Sequence, residues 1–419
     1  MRKFSVLTVL MVVASGCSST AAPTTTVAPT TTAARVTTTT AAPTTTASPA
    51  TTTTAAPTTT AAPVTTPQGP VAETALCAND GDHILCAGDG MPVVEGAPDL
   101  YGQLISYSPE VLCAVDLDMR LCNDVANSLL WAAKEWGNVG PIEYYVMGID
   151  ESAADSLIDV YCSRRWDRNS WSKDECLAES TRANDHSMKS YQSLSAAWLA
   201  EGNPSTTMGH NGGRQFNIHQ FTSSVPWGFD ASYDVGFIEG VQEQKTVFHE
   251  YFHALQHNYI VTKDWDERDS KMWLRWFAEG SAEYMASVLA RRLTDAGLLD
   301  SRLSEIAGKS SYDFTTLMRQ KLVDTKAAYS QCGGSLKDSG YGDKCDSYEG
   351  AYSGGTWAHA YLANKHGSDI LLDVFYPNLD AMGSETAFTH AYGQTVEEFY
   401  TEFDEFLDLT TEEQMAILP

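Results

Sequence analysis

The amino-acid sequence predicts an α+β fold, in which a small mixed β-sheet in the first half is followed by a mainly helical second half. The two segments whose apolar pattern is typical of strands, 142–147 and 215–221, both lie in the first half or just beyond it. Beyond Val241, apolar residues recur at helical spacing in several long segments. The sequence has no repeat of fixed period that would indicate a solenoid or a propeller instead.

The chain begins with the pattern of an export signal, predicted to span residues 1–17. Met-Arg-Lys forms a basic start, an apolar run follows over 4–14, and small residues precede Cys17. The run is shorter than the roughly 20 apolar residues that a membrane-spanning helix needs. The Ala-Ser-Gly-Cys ending is similar to the lipobox of bacterial lipoproteins, which implies a lipid anchor at Cys17. A plain secretory signal that ends near a cysteine is the alternative.

Residues 18–70 form a linker of a different composition. They are nearly all Thr, Ala and Pro, with Arg35 as the only charged residue. Such a segment has too few large apolar side chains to offset the entropy lost on folding, so we expect it to be disordered. The linker would hold a folded head away from the outer side of the cell membrane, with the lipid anchor as the only membrane contact.

The head is predicted to consist of a disulfide-stapled part, 71–204, and a catalytic region, 205–419. The chain has 54 acidic and 27 basic residues, and every acidic residue follows residue 70. A strongly acidic surface repels phosphate backbones, so no nucleic-acid partner is expected. The eight cysteines of the head fall into close pairs, which predicts four local disulfides in an exported protein. The pairs are Cys77 and Cys86, Cys113 and Cys122, Cys162 and Cys176, and Cys332 and Cys345. A zinc site made of thiolates is disfavoured because no CxxC spacing is present.

The remaining elements follow from apolar spacing and from turn residues. Residues 71–112 are predicted to be loop-like, with turns around the first cysteine pair. The predicted helices are, in chain order, 125–136, 153–162, 185–200, 241–259, 272–293, 352–365 and 396–407. The strand over 215–221 is a candidate edge strand that pairs with an extended peptide, with an ordinary strand as the alternative.

A pattern typical of metal binding, HExxH, lies inside the fourth of these helices. Because side chains four residues apart share one face of a helix, His249 and His253 can reach a single ion, and zinc suits this pair. Glu250 would lie beside the ion and act as a base toward bound water, whose pKa zinc lowers to about 7. Metzincins need a glycine and a third histidine shortly afterwards, but Gln256 and Tyr259 stand at those places, so that class is excluded.

Two downstream segments resemble those of gluzincins, the M1 aminopeptidase-like members of the zinc peptidase MA clan. The sequence WLRWFAEGSAEY over 273–284 is similar to their W-x-x-E-G-x-A segment, whose glutamate is the third zinc ligand. The resemblance implies that Glu279 is this ligand, with Glu283 as the competitor. The sequence YEGAYSGGTW over 348–357 resembles their Y-x-x-G helix start, which implies that Tyr352 stabilises the oxyanion. A packing role at a helix start is the alternative for Tyr352.

This resemblance covers roughly residues 205–410 and implies a zincin-like metallopeptidase domain. The implied activity is zinc-dependent peptide-bond hydrolysis by a monomer, with a peptide or protein as substrate. No G-A-M-E-N segment, the amine site of M1 enzymes, is present, so aminopeptidase specificity is not implied. Two alternatives remain, a noncatalytic surface binding lipoprotein with the same fold and a zinc hydrolase of a nonpeptide substrate. The other histidines are expected to be surface or packing residues, with His219 and His359 as candidates for lining the cleft.

Overall fold

The computed structural model of the chain confirms a mixed α+β fold. It describes residues 76–87, 100–167, 172–183, 187–201, 206–210, 213–226, 240–299 and 313–419. The predicted signal peptide and the whole predicted linker lie outside these residues, as does the start of the head. Among the helices of the described ranges, none is both long and apolar enough to cross a membrane.

A small mixed sheet forms one layer of the head. Within the described residues its six strands are β1 (Leu76–Asn79), β2 (Ile84–Ala87), β4 (Glu110–Cys113), β6 (Ile142–Val146), β7 (Met208–His210) and β8 (His219–Ser223). Their order is β1-β2-β4-β6-β8-β7, with β4, β6 and β8 parallel to one another and the remaining pairs antiparallel. The short strands β3 (Gln103–Leu104) and β5 (Val139–Gly140) form a separate antiparallel pair. The main sheet therefore takes strands from both sides of the predicted boundary at 204/205.

The predicted strand over 215–221 is partly wrong. Arg214–Phe216 forms one turn of 3₁₀-helix, and Asn217 follows in the left-handed region with φ 54°. Asparagine tolerates this left-handed conformation, which ends the turn. Because Asn217 is not extended, the strand begins only at His219. It lies between β6 and β7, so the edge of the sheet at this side is β7 and not the predicted segment.

The loop prediction for residues 71–112 is also wrong in part, because three strands of the sheet lie there. Asn79-Asp80-Gly81-Asp82 is the turn of a hairpin, and Cys77 lies directly opposite Cys86 across it. The first disulfide therefore joins two neighbouring strands. Strands of four residues are too short for alternation to distinguish them from a stapled loop.

All four predicted disulfides are present, and three of them fix helices. Cys113–Cys122 joins β4 to α1 (Met119–Trp136), and Cys162–Cys176 joins α2 (Glu151–Asp167) to α3 (Lys173–Ser180). The next helix, α4, spans Met188–Glu201. The predicted helices of this half are confirmed, with ends that differ by a few residues.

The second half is helical, as predicted. Within the described residues its α-helices are α5 (Gly240–Asn258), α6 (Trp265–Met272), α7 (Arg275–Asp295), α8 (Phe314–Cys332), α9 (Gly354–His366), α10 (Tyr376–Met382), α11 (Ser384–Tyr392), α12 (Val396–Leu407) and α13 (Thr411–Met415). A π-helix over Tyr348–Ser353 leads directly into α9, and a second one over Leu371–Phe375 leads into α10. The fourth disulfide, Cys332–Cys345, joins the end of α8 to the loop before the first π-helix.

Helices α5 and α9 both pack against α7, and α9 crosses α7 at close range. The crossing is made by Gly280 and Gly355. A Cβ on Gly280 would lie 2.4 Å from the Gly355 backbone, and one on Gly355 would lie 2.1 Å from the Trp276 carbonyl oxygen. Only glycine allows two backbones to approach so closely. This crossing brings the start of α9 next to α7.

Candidate metal centre

Helix α5 places His249, Glu250 and His253 in the interior of the head. After its first residue the helix contains no proline or glycine, and apolar side chains such as Phe248 and Phe252 are fully buried around the three polar ones. All three polar side chains are themselves buried. Burying a polar side chain costs free energy unless the side chain has a partner. The groups that these three side chains face therefore have to be identified.

Three potential ligand atoms converge at this place. The Nε2 atoms of His249 and His253 lie 3.0 Å apart. The Glu279 Oε2 atom, from α7, lies 3.3 Å from the first and 3.2 Å from the second. Donor atoms bound to one tetrahedral zinc ion stand about 3.4 Å apart, so these separations suit a single ion. Within the described residues, His249, His253 and Glu279 form a buried group that can hold a metal ion.

Carboxylate oxygens of Glu279 and Glu250 lie at the same place without hydrogen-bond partners among the described residues. Glu279 Oε2 lies at ion-pair distance from both imidazoles, but among the described residues it has no hydrogen-bond partner. Neither oxygen of Glu250, which is fully buried, has one there either. Buried carboxylate oxygens without partners are rare in native proteins and call for a bound ion or water. The donor set and these oxygens therefore fit a divalent cation.

Glu283, the sequence-level competitor of Glu279, lies elsewhere. Its carboxylate accepts hydrogen bonds from Lys245 Nζ at 2.7 Å and pairs with Lys321 Nζ at 2.9 Å. One of its oxygens lies 3.1 Å from Nδ1 of His249, on the side of the ring opposite Nε2. Glu283 therefore contacts the outer side of one imidazole, whereas Glu279 faces the inner side of both.

The carboxylates around the group change the pKa values of its members. Burial by itself would lower the pKa of His249, but the adjacent Glu279 and Glu283 carboxylates raise it to about 9. Burial likewise opposes protonation of His253, and Glu279 raises its pKa. Although burial would raise the pKa of Glu279, the two imidazoles hold it well below its usual range. Burial raises the pKa of Glu250, the direction that suits a proton acceptor.

Tyr352 lies beside the group, on the π-helix that precedes α9. Its ring is nearly parallel to that of His249, with the ring centroids 6.1 Å apart, and only 1% of the residue is exposed. The Tyr348 ring also stacks on that of Tyr352, with the ring centroids 4.9 Å apart. The Arg275 guanidinium lies 5.3 Å from the Tyr352 ring and forms an ion pair with Asp346. The glycine crossing of α7 and α9 thus places this tyrosine next to the ligands, and π-helical turns often occur at functional sites.

The other predicted candidates lie away from the group. His219 is fully buried, with its Nε2 2.9 Å from Asn258 Oδ1, and His359 Nε2 lies 3.1 Å from the Phe277 carbonyl oxygen. Both are hydrogen-bonded interior residues. Lys245, Lys321 and Arg275 were not predicted. Lys245 lies one helical turn before His249 on α5, but no motif marks it, and only tertiary packing brings Lys321 and Arg275 to the site.

The chain matches no protein-family model, no curated protein and no solved structure in comparisons with all three.

Proposed function

We propose that the chain is a zinc metallopeptidase of the gluzincin type, with a zincin-like fold, that hydrolyses peptide bonds. The observation that carries this proposal is the meeting of two imidazoles and a carboxylate at 3.0–3.3 Å, beside the Glu250 carboxylate, which has no hydrogen-bond partner among the described residues. His249, His253 and Glu279 would hold the ion. When bound, zinc supplies Lewis-acid chemistry toward water and toward a substrate carbonyl.

Glu250 is the proton carrier in this proposal. Its carboxylate is buried, has no partner among the described residues, and has its pKa raised by burial. It would take a proton from the attacking water and donate it to the nitrogen of the leaving amine. A group that performs both transfers needs a pKa closer to neutrality than that of an exposed glutamate.

Tyr352 is proposed as the donor to the carbonyl oxygen as that oxygen becomes negative. Support comes from its position against the His249 ring and from its burial. A fixed donor in a dry site is worth more than the same donor in water, since it does not have to reorganise during the reaction. The stacked Tyr348 and the Arg275 guanidinium restrict the orientation of the Tyr352 ring.

A peptide substrate is favoured by the edge of the sheet. The edge strand β7 lies next to α5, and the His210 ring at its end is 4.6 Å from the ring of His257, one helical turn after His253. An edge strand has free backbone donors and acceptors with which an extended peptide can pair. The substrate backbone would then run alongside the helix that carries the ligands.

The four disulfides indicate an oxidising environment outside the cytoplasm. We further propose that the chain is anchored by a lipid at Cys17 on the outer side of the cell membrane, as its start implies.

The test is metal content and cleavage of a peptide library by the full mature chain, compared between wild type and Glu250→Gln. We expect one zinc per chain in both and cleavage only by the wild type, with a loss of about 10²–10⁴ in rate in the variant. Glu243→Gln, a buried glutamate on the same helix, is the matched control and should cleave normally. Zinc without any peptide cleavage by the wild type would favour a binding head or a nonpeptide substrate.

A further inference from the structure

The two imidazoles that face the candidate ion both turn their Nδ1 atoms to an acceptor, but the acceptors differ. Nδ1 of His249 lies 3.1 Å from the Glu283 carboxylate, which is held by two lysines. Nδ1 of His253 lies 2.7 Å from Oε1 of Gln256, a fully buried amide. A carboxylate can only accept a hydrogen bond, so His249 has to carry a proton on Nδ1.

An amide can either donate or accept, so the orientation of Gln256 has to be settled by its other contacts. Its Nε2 atom lies 2.8 Å from the Ala278 carbonyl oxygen and 2.9 Å from both the Ser281 and the Tyr376 hydroxyl oxygens. The hydroxyls can accept or donate, but a backbone carbonyl can only accept. A flipped amide would place Oε1 against the Ala278 oxygen with no proton between them. Oε1 therefore faces His253, and His253 has to be the donor.

We infer that Gln256 is a positioning residue of the metal centre, which fixes the proton of His253 on Nδ1 and leaves Nε2 free for the ion. Outer hydrogen bonds of this kind fix the tautomer and the ring orientation of a metal-binding histidine. Gln256 acts through His253 and is not itself a ligand. The inference depends on the metal site of the proposed function, but not on the reaction or its substrate.

Helix α7 provides the groups that orient both imidazoles. It provides the ligand Glu279 and the carboxylate Glu283, and through Ala278 and Ser281 it also orients Gln256. The two imidazoles of α5 are thus aligned by a single neighbouring helix. One of them is supported by an anion and the other by a neutral amide, so the two positions should respond differently to substitution.

The experiment measures zinc affinity by chelator competition, and the absorption spectrum of the cobalt-substituted full chain, for wild type, Gln256→Leu and Gln256→Glu. Gln256→Leu removes the acceptor, and we expect about 10–100-fold weaker zinc binding and an altered cobalt spectrum. Gln256→Glu keeps an acceptor for His253 but places a carboxylate oxygen, which cannot donate, against the Ala278 carbonyl oxygen. It should lower the melting temperature of the metal-free protein and yet bind zinc nearly as tightly as wild type. Gln244→Leu, a buried glutamine on the same helix, is the control and should leave both readouts unchanged.

A purely structural role of Gln256 predicts no such difference, with Gln256→Glu as damaging to zinc binding as Gln256→Leu. That result, or unchanged zinc affinity and cobalt spectrum in Gln256→Leu, would overturn the inference. If the leucine variant does not fold, ¹⁵N-histidine NMR of the zinc-loaded wild type decides, since we expect a proton on Nδ1 of His253 and its absence contradicts us. A wild type that binds no zinc would instead remove the metal site itself.

Discussion

Helix α5 contributes to two buried histidine clusters that lie one turn apart and behave in opposite ways. The first contains His249 and His253. The second histidine cluster contains His257 of α5 together with His210 and His219 of the sheet, and is linked by a contact of 3.3 Å between His210 Nε2 and His219 Nδ1. Both clusters consist of imidazoles in the interior around α5, so composition does not distinguish them.

The charged neighbours of the imidazoles distinguish the two clusters. In the first cluster, carboxylates of α5 and α7 raise the pKa of both imidazoles. In the second, burial lowers the pKa of His219 to about 3, and burial together with Arg268 and the other histidines holds those of His210 and His257 well below their usual value. Burial alone thus keeps an imidazole neutral and packed. Carboxylates on the facing helix turn the same side chain into part of a cation site.

The largest expected difference between the clusters concerns metal binding. Glu279→Ala removes the carboxylate that faces both Nε2 atoms, so it should weaken zinc binding by more than the ~10–100-fold typical of an outer partner. His257→Ala, in the second histidine cluster, should leave zinc affinity unchanged. Chelator competition measures both. Full zinc occupancy in Glu279→Ala would contradict the assignment of Glu279 as the third ligand.

The next effect concerns the tyrosines beside the first cluster. Tyr352→Phe should lower kcat by about 10²–10³ while KM changes little, because the lost hydrogen bond forms only in the transition state. Tyr348→Phe removes the hydroxyl of the ring stacked on it and is the matched control. Steady-state kinetics on a peptide cleaved by the wild type will compare them. Equal losses in the two variants would mean that Tyr352 only packs.

A smaller effect is expected at the crossing of α7 and α9. Gly280→Ala places a methyl group 2.4 Å from the Gly355 backbone, which should cost about 1–3 kcal/mol of unfolding free energy. The displaced α9 should also weaken zinc binding, since Tyr352 and Glu279 lie on either side of the crossing. Ser287→Ala, a buried position further along α7, should change neither quantity. Urea unfolding and zinc titration measure the two, and a wild-type-like Gly280→Ala would show that the helices can separate at no cost.

The last difference concerns the effect of pH on the stability of the metal-free protein, to which the two clusters should contribute with opposite sign. The second cluster is neutral when folded, so its contribution to stability is complete above the unfolded histidine pKa of about 6.5 and is lost as the pH falls below it. His249 has a raised pKa, so its contribution is complete below about 6.5 and is lost as the pH rises through about 9.

Urea unfolding of the metal-free chain from pH 4 to pH 10 will show both losses of stability, the acid limb at low pH and the alkaline limb at high pH. His257→Phe should flatten the acid limb, and each pKa unit between the folded and unfolded states is worth about 1.4 kcal/mol. Zinc should abolish the alkaline loss, since the ion replaces the proton on His249. An alkaline limb that persists with bound zinc would contradict the assignment of His249.

The sequence predicted the first cluster because its geometry is local. Spacing alone places His249 and His253 on one helical face, and the segment around Glu279 follows on a second helix. The outer partners were not predicted. Gln256 lies on α5, three residues after His253, but spacing alone does not show that its amide accepts a hydrogen bond from that ring. Lys321, on α8, reaches Glu283 only through tertiary packing. The second cluster was missed for the same reason.

The fold was predicted where the elements are long and missed where they are short. The helices of the second half exceed three turns in most cases, so their periodicity is clear. The strands are five residues or shorter. Strand β8 begins four residues later than predicted because of the left-handed residue Asn217, which no apolar pattern indicates.

X-ray absorption at the zinc edge of the zinc-loaded full chain tests the central claim most directly. We expect nitrogen and oxygen neighbours at roughly 2.0–2.2 Å, with two imidazoles in the wild type and one in His253→Ala. Sulfur neighbours near 2.3 Å, or a spectrum that His253→Ala leaves unchanged, would contradict the assignment of the ion to His249, His253 and Glu279.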